Sequence, residues 1–299
     1  MRRIFRAFYG GQGTARPTMR GPRTTDRLTH RPKSRVANRP LLGKIEGMQA
    51  TLEVLFTPAE FEALKNRDLS NTVCVVFDVL RATTSMLAAL RHGAAQIIPV
   101  KEISEALALR RGLAQGTLLA GERDGLRIRA AQSGGVDFDL GNSPREFTRE
   151  RVAGRTIIMT TTNGTRALRA CLGARHILAG AFLNLAALAV WIRNQPPPSL
   201  LLVGAGTFEQ AAYEDTLAAG ALGELVWDQF SRAADSAHVA REIYRAGTKD
   251  LSAAFRQHSR NARRLLASPE LRDDVAFALQ CDTVPFAAEL KNGAVVRVD

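Results

Sequence analysis

The sequence predicts an α/β fold, with helices layered on both sides of a largely parallel or mixed sheet (α/β/α) and built as one body or two lobes. Three observations predict it. Short apolar runs alternate with helical stretches from Leu52 onward, which is the pattern of βα units. Residues 73–77 are an unbroken, largely β-branched apolar run, as expected of a strand buried on both faces. The turns after several such runs are rich in Asp, Glu, Arg, Thr, Asn and Gly, and α/β sheets collect ligands at the carboxyl ends of their strands.

The elements follow in order. Residues 52–56 read as the first strand. Thr57 then caps a helix, with Pro58 at its first position and Glu60 placed to complete a capping box. Residues 73–77 form the buried strand, 83–90 a helix, 97–100 a strand, 104–112 a helix and 118–120 a short strand. Residues 123–150 are loop-rich, with Gly125, Gly134, Gly135 and Pro144. A second series opens with a strand at 156–159 and a helix from Thr165. It continues with a strand at 176–179, a helix around 185–193 and the rigid connector Pro196-Pro197-Pro198. Residues 199–203 give another strand, 214–230 a long helix, and 235–280 read as helical throughout. Thr283-Val284-Pro285-Phe286 and residues 294–298 are expected to close the sheet.

Composition narrows the class. At 299 residues, 45% hydrophobic and 23% charged, the chain can bury a core without staples, which excludes collagen, a coiled-coil rod and wholesale disorder. The longest apolar stretch, 181–192, is interrupted by Asn184 and falls short of the roughly 20 residues of a membrane span, so no membrane partner is expected. Cys74, Cys171 and Cys281 are far apart, odd in number and outside any CxxC, which argues against disulfides or zinc and for a reducing, cytoplasmic compartment.

The net charge of +12 invites a nucleic-acid partner, but its distribution argues against one. Residues 1–47 hold twelve of the 41 Lys and Arg and two of the 29 acids, so they carry +10 and the rest of the chain is almost neutral. The chain therefore divides into a disordered basic tail, 1–47, and a folded domain, 48–299. Three readings of the tail stand: translation that begins at Met48 (the favoured one), a loose arm for nucleic acid or a membrane surface, or an Arg-rich targeting peptide.

Four polar junctions are candidate chemistry. In the first, Asp78-Val79-Leu80-Arg81-Ala82-Thr83-Thr84, a carboxylate ends the buried strand, while Arg81 and two hydroxyls open the next helix. Arg81 can grip a phosphate, and Asp78 would repel that phosphate unless a cation such as Mg²⁺ sat between them. The alternative is a capped helix with a surface arginine. The second, Thr161-Thr162-Asn163-Gly164-Thr165, has the shape of an anion-binding turn, or of an ordinary tight turn. The third joins Gly121-Glu122-Arg123 to Gly141-Asn142-Ser143-Pro144, offering Glu122 as a second hard carboxylate and Arg123 as a second anion ligand, or a plain surface pair. The fourth, Tyr213-Glu214-Asp215, offers a metal ligand or helix-dipole partners. Arg91-His92-Gly93 matches the triplet of histidine phosphatases but ends a helix, with Gly93 as its natural terminator. Gly204-Ala205-Gly206 has Glu209 where a dinucleotide fingerprint needs its third glycine.

Read in chain order, together with Ala219-Gly220 and Asp282-Thr283-Val284-Pro285, the segments resemble the 2-phosphosulfolactate phosphatase family, the ComB type. The resemblance runs from about Leu52 to the C-terminus and departs from the family pattern at Ser259-Arg260-Asn261, with His258 displaced. It implies a Mg²⁺-dependent phosphatase of layered α/β fold, a small phosphorylated acid as substrate, and a homodimer. On that basis Asp78, Glu122 and Asp215 are expected to hold Mg²⁺, and Asp78, Asp215 and Arg81 to carry the chemistry. Thr83, Thr84, Asn163, Gly164 and Thr165 would bind the phosphoryl group, and Arg123, Asn142 and Ser143 the rest of the substrate. Two other classes stay open: a Mg²⁺-dependent lyase or isomerase acting on a phosphorylated acid, and a non-catalytic anion- or nucleic-acid-binding protein using the tail.

Overall fold

The computed structural model describes residues 50–298, so the expected tail and Met48 lie outside the described residues. The strands are β1 (Thr51–Leu55), β2 (Thr72–Phe77), β3 (Gln96–Val100), β4 (Leu118–Arg123), β5 (Leu126–Arg127), β6 (Thr156–Thr160), β7 (His176–Gly180), β8 (Ser199–Gly204), β9 (Arg232–Ala233), β10 (Ala287–Lys291) and β11 (Ala294–Val298). The helices are α1 (Pro58–Glu62), α2 (Ala82–Arg91), α3 (Ile103–Gly112), α4 (Ala130–Ser133), α5 (Arg149–Val152), α6 (Gly164–Ala170), α7 (Leu185–Asn194), α8 (Tyr213–Val226), α9 (Asp235–Gly247), α10 (Leu251–His258), α11 (Arg260–Leu266) and α12 (Arg272–Ala278). Thr57 does form the expected capping box with Glu60 at the start of α1.

One eleven-stranded sheet runs β5-β4-β6-β3-β11-β10-β7-β2-β8-β1-β9. It contains two parallel blocks, β4-β6-β3 and β7-β2-β8-β1-β9, with the short β5 antiparallel to β4 at one edge. The antiparallel hairpin β10–β11 joins them, pairing with β7 on one side and β3 on the other. The last two strands thus lie in the middle of the sheet instead of closing an edge. The expected strand at 283–286 is displaced as well. Pro285 has no N–H to give a ladder and the Val284 N–H goes to Leu183 O, so pairing starts at Ala287. The helical stretch expected over 235–280 is four helices, α9 to α12, and Ser259 separates α10 from α11.

β2 shows why the architecture is layered. Every residue in it is buried, and alternate side chains enter different cores, as the two-residue period of a strand dictates. Cys74 and Val76 pack with Met86 and Leu87 of α2 and Leu168 of α6. Val73, Val75 and Phe77 pack with Leu217 and Ala221 of α8 and Phe255 of α10. Burial of each large side chain contributes about 1.5–3 kcal/mol, so the helices on both faces are held by the same strand. Among the described residues no helix is long and apolar enough to cross a membrane.

Candidate active site

Three antiparallel pairings separate β3 from β7, so the two parallel blocks run in opposite senses, yet the segments leaving β2, β4, β6 and β8 surround one pocket of ≈ 250 Å³. Asp78 leaves β2. Its Oδ1 accepts the Ala82 N–H at 3.0 Å and its carbonyl accepts the Thr83 N–H at 3.0 Å, so the first amides of α2 are taken by Asp78 itself. Gly164 packs against this carboxylate: a Cβ there would stand 2.6 Å from Asp78 Oδ2 and 2.6 Å from Ala82 Cβ. Only glycine lets α6 approach Asp78 this closely.

Three more buried carboxylates line the pocket, besides the exposed Asp124 and Glu209. Glu122 leaves β4, and its Oε1 accepts from Thr162 N at 2.7 Å and Thr162 Oγ1 at 2.8 Å, its Oε2 from Gly125 N at 2.7 Å. Glu214, on the first turn of α8, accepts from Ser259 Oγ at 2.6 Å and Asn261 Nδ2 at 3.3 Å. Asp215 accepts the N–H of Val79 at 2.9 Å on Oδ1 and that of Gly206 at 3.1 Å on Oδ2, tying the exit of β2 to the exit of β8.

The electrostatics follow from burial. Loss of hydration pushes Asp78 up to about 6, and the charges of Glu122 and Glu214 add to it while the Ala82 N–H opposes it. Burial also raises Glu214, against the hydrogen bonds from Ser259 and Asn261. Asp215 is held well above the usual carboxylate range, first by burial and then by Glu214 and Asp78. The Arg81 guanidinium also lines the pocket, but Asp274 accepts its Nη1 at 3.0 Å and Gly125 O its Nη2 at 2.6 Å.

The structure brings Asp78, Arg81, Glu122, Asn142, Asn163 and Asp215 together around the pocket, with Gly164 behind Asp78. It takes the other expected residues elsewhere. The fully buried Thr83 and Thr84 donate to Gly180 O at 2.7 Å and Val79 O at 2.8 Å. Thr165 exchanges hydrogen bonds with Thr161. Ser143 donates to Asp274 at 2.6 Å, and Arg123 donates to Glu122 O and Thr160 Oγ1. Hydroxyls in a buried first turn satisfy strand-end backbone groups, as those of Thr83 and Thr84 do here, and none of these five residues lines the pocket.

Asp78, Glu122 and Asp215 line the pocket without forming a three-carboxylate cage: among the described residues no three His, Cys, Asp or Glu side chains are grouped to hold a metal ion. Mg²⁺ rarely needs such a cage. It keeps several waters and is commonly held by one or two carboxylates together with substrate phosphate. Oxygen-only donors, burial and mutual repulsion suit it. Asn142 Oδ1 is buried, lines the pocket and has no hydrogen-bond partner among the described residues, as expected of a group that meets a ligand.

Sequence reasoning missed Asn261 and Arg264 at the pocket and Asp274 behind Arg81, and it left Glu214 undecided. The usable signal was Ser259. Its side chain caps α11 through the Ala262 N–H at 2.8 Å while also donating to Glu214. A Ser inside an otherwise helical run marks a helix start, and that start places Asn261, whose Nδ2 reaches Leu80 O at 2.6 Å.

Comparison with known proteins gives the family. The model of the 2-phosphosulpholactate phosphatase family matches residues 58–293. A protein of Caldanaerobacter subterraneus subsp. tengcongensis, named "Probable 2-phosphosulfolactate phosphatase", is 35% identical over 244 residues, 81% of this chain and 97% of that protein. Proteins of the same name from Thermotoga maritima and Caldicellulosiruptor saccharolyticus are 36% and 33% identical, covering 74% and 82% of this chain and 90% and 99% of their own lengths. The chain belongs to the 2-phosphosulfolactate phosphatase family of phosphoric monoester hydrolases.

Proposed function

We propose that this chain hydrolyses 2-phosphosulfolactate, or a closely similar phosphorylated 2-hydroxy acid, to the free hydroxy acid and phosphate, with Mg²⁺ as cofactor. The observation that carries the reading is the set of four buried carboxylates around one pocket, none of them in a salt bridge among the described residues, in a chain of this family. Asp78 and Glu122 are the residues that would hold Mg²⁺. Bound there, the ion would neutralise phosphoryl charge, which is the main demand of phosphate-ester hydrolysis.

The chain's own residues do the rest. Thr162 and Gly125 fix Glu122, and Ala82 fixes Asp78, so both carboxylates are preorganised. Arg81 has five N–H donors, of which two are taken by Asp274 and Gly125, leaving donors for a phosphoryl oxygen. Asn142 offers its unpartnered amide to the substrate, with oxygen and nitrogen interchangeable by a flip. Glu214 and Asp215, both raised by burial, retain a proton more readily than ordinary carboxylates, and one such proton is what the leaving oxygen needs. Water supplies the oxygen that ends on phosphorus, so the ester becomes an alcohol and inorganic phosphate.

The test is phosphate release by the purified chain from 2-phosphosulfolactate and a panel of phosphorylated hydroxy acids, with Mg²⁺ and with chelator. Chelator-sensitive release that favours 2-phosphosulfolactate is the expected result. Preference for another acid replaces the substrate and keeps the chemistry, and no release from folded, Mg²⁺-loaded protein overturns the reading.

A further inference from the structure

Arg264 is the pocket guanidinium that the proposed chemistry leaves without a task. It stands one turn into α11, on the same face as Asn261, and its Nε and Nη2 both donate to Asn261 Oδ1, at 3.3 and 2.9 Å. Asn261 is itself tied to Leu80 O and Glu214, so the arginine is aimed from a fixed base. Its Nη1 and Nη2 lie 3.4 Å from the point a Cβ on Gly125 would occupy, which lets the guanidinium lie over the turn between β4 and β5. The exposed ring of Phe208 stands 5.9 Å from its Cζ across the pocket wall.

The distinguishing feature is charge. Arg81 is paired with the buried Asp274, whereas Arg264 has only neutral oxygen acceptors and makes no salt bridge among the described residues. It therefore keeps an uncompensated positive charge and unused N–H donors at a pocket whose other ionisable walls are acidic apart from Arg81, itself paired with Asp274. A phosphate monoester held near Asp78 and Glu122 does not need this second cation. A substrate with a further acid group does, since that group would otherwise face four carboxylates.

We infer that Arg264 determines specificity by binding the second acid group of the substrate, a carboxylate or a sulfonate, and so separates phosphorylated acids from neutral phosphate esters. This rests on the phosphatase reading above. It replaces Arg123, which does not line the pocket, with a residue on a different element. A guanidinium recognises either group through paired, charge-assisted hydrogen bonds, and an ammonium does so only as a point charge.

The experiment compares wild type with Arg264→Ala, Arg264→Lys and the control Arg263→Ala, an exposed neighbour that donates to Gln257 O and does not line the pocket. The substrates are 2-phosphosulfolactate, 2-phospholactate and glycerol 2-phosphate. Arg264→Ala is expected to lower kcat/KM for 2-phosphosulfolactate by about 10- to 100-fold more than for glycerol 2-phosphate, with partial recovery in Arg264→Lys. A matching loss on 2-phospholactate assigns the contact to the carboxylate, and no loss there assigns it to the sulfonate. Equal losses on all three substrates, or the same change of preference in Arg263→Ala, overturn the inference. Calorimetric binding of sulfolactate to Mg²⁺-loaded protein gives a readout independent of turnover. Affinity should fall about tenfold or more in Arg264→Ala, and unchanged affinity overturns the inference. Failure of wild type to release phosphate overturns the phosphatase reading alone.

Discussion

Buried acids in this molecule come in two kinds. Asp274, fully buried on α12, accepts Arg81 at 3.0 Å, Arg145 at 2.9 Å and Ser143 at 2.6 Å. Glu224 on α8 is gripped by Arg241 at 2.5 Å and Arg245 at 3.0 Å. The four buried pocket acids receive only amide, hydroxyl and asparagine donors. Neutral donors fix where a carboxylate points without cancelling its charge. Burying a charge in that state is costly, whereas a paired one is tolerated. The difference separates acids that hold the fold from acids left without a counter-charge at the pocket.

The largest expected effect breaks the second kind. Asp78→Asn keeps the shape and the acceptor for Ala82 but removes the charge, and should cut Mg²⁺-dependent turnover by about 10⁴-fold, roughly 5 kcal/mol of barrier. Steady-state phosphate release checks it, and near-normal activity would place Asp78 among the structural acids. The mirror test is Asp274→Ala, which strands Arg81 without its counter-charge and should lower unfolding stability by about 3–5 kcal/mol in urea titration. A loss below about 1 kcal/mol, the scale of an exposed pair, would erase the distinction from the structural side.

The first kind was nearly invisible in the sequence, and the second largely legible. Asp78, Glu122 and Asp215 each close a strand or open a helix, where local pattern alone marks the carboxyl end of a sheet. The layered fold was legible for the same reason, since burial of β2 on both faces is written in residues 73–77. Asp274 lies in the helical run 235–280, and its partners Arg81 and Arg145 are 193 and 129 residues away, so no local pattern links them. The central position of β10–β11 is equally non-local. A hairpin at the C-terminus reads the same whether it closes an edge or joins two blocks. The roles of Thr83, Thr84 and Thr165 were not legible, because a hydroxyl at a helix start serves backbone or phosphate equally well and only burial distinguishes the two.

The pH dependence sharpens the comparison at intermediate size. The Asp78 pKa is raised from 3.8 unfolded to about 6 folded. The unfolded chain therefore loses this proton first as pH rises, and the metal-free fold is penalised above pH 6 by about 3 kcal/mol. Glu214 and Asp215 are raised as well and act in the same direction. Metal-free protein in chelator should therefore melt higher at pH 5 than at pH 7.5, and Asp78→Asn should flatten that slope and raise the melting temperature at pH 7.5. A wild-type melting temperature that rises from pH 5 to 7.5 in chelator would mean that the pocket charges are already compensated.

Glu224 should show the opposite sign at smaller size. Burial alone would raise its carboxyl, but the hydrogen bonds and charges of Arg241 and Arg245 outweigh that and hold it below its ordinary value. Its contribution is thus complete above the unfolded value of 4.5 and disappears as pH falls through the lower folded value. Arg245 is 44% exposed, so water screens part of the attraction, and Glu224→Gln should cost only about 1 kcal/mol at pH 7. Arg241 keeps its place over the Trp227 ring, 3.9 Å from its centroid, so the variant loses charge more than packing. In urea titrations the difference between wild type and Glu224→Gln should shrink toward zero near pH 3. A difference that stays constant from pH 7 to 3 would show that packing of α8 on α9, and not ion pairing, sets the worth of this carboxylate.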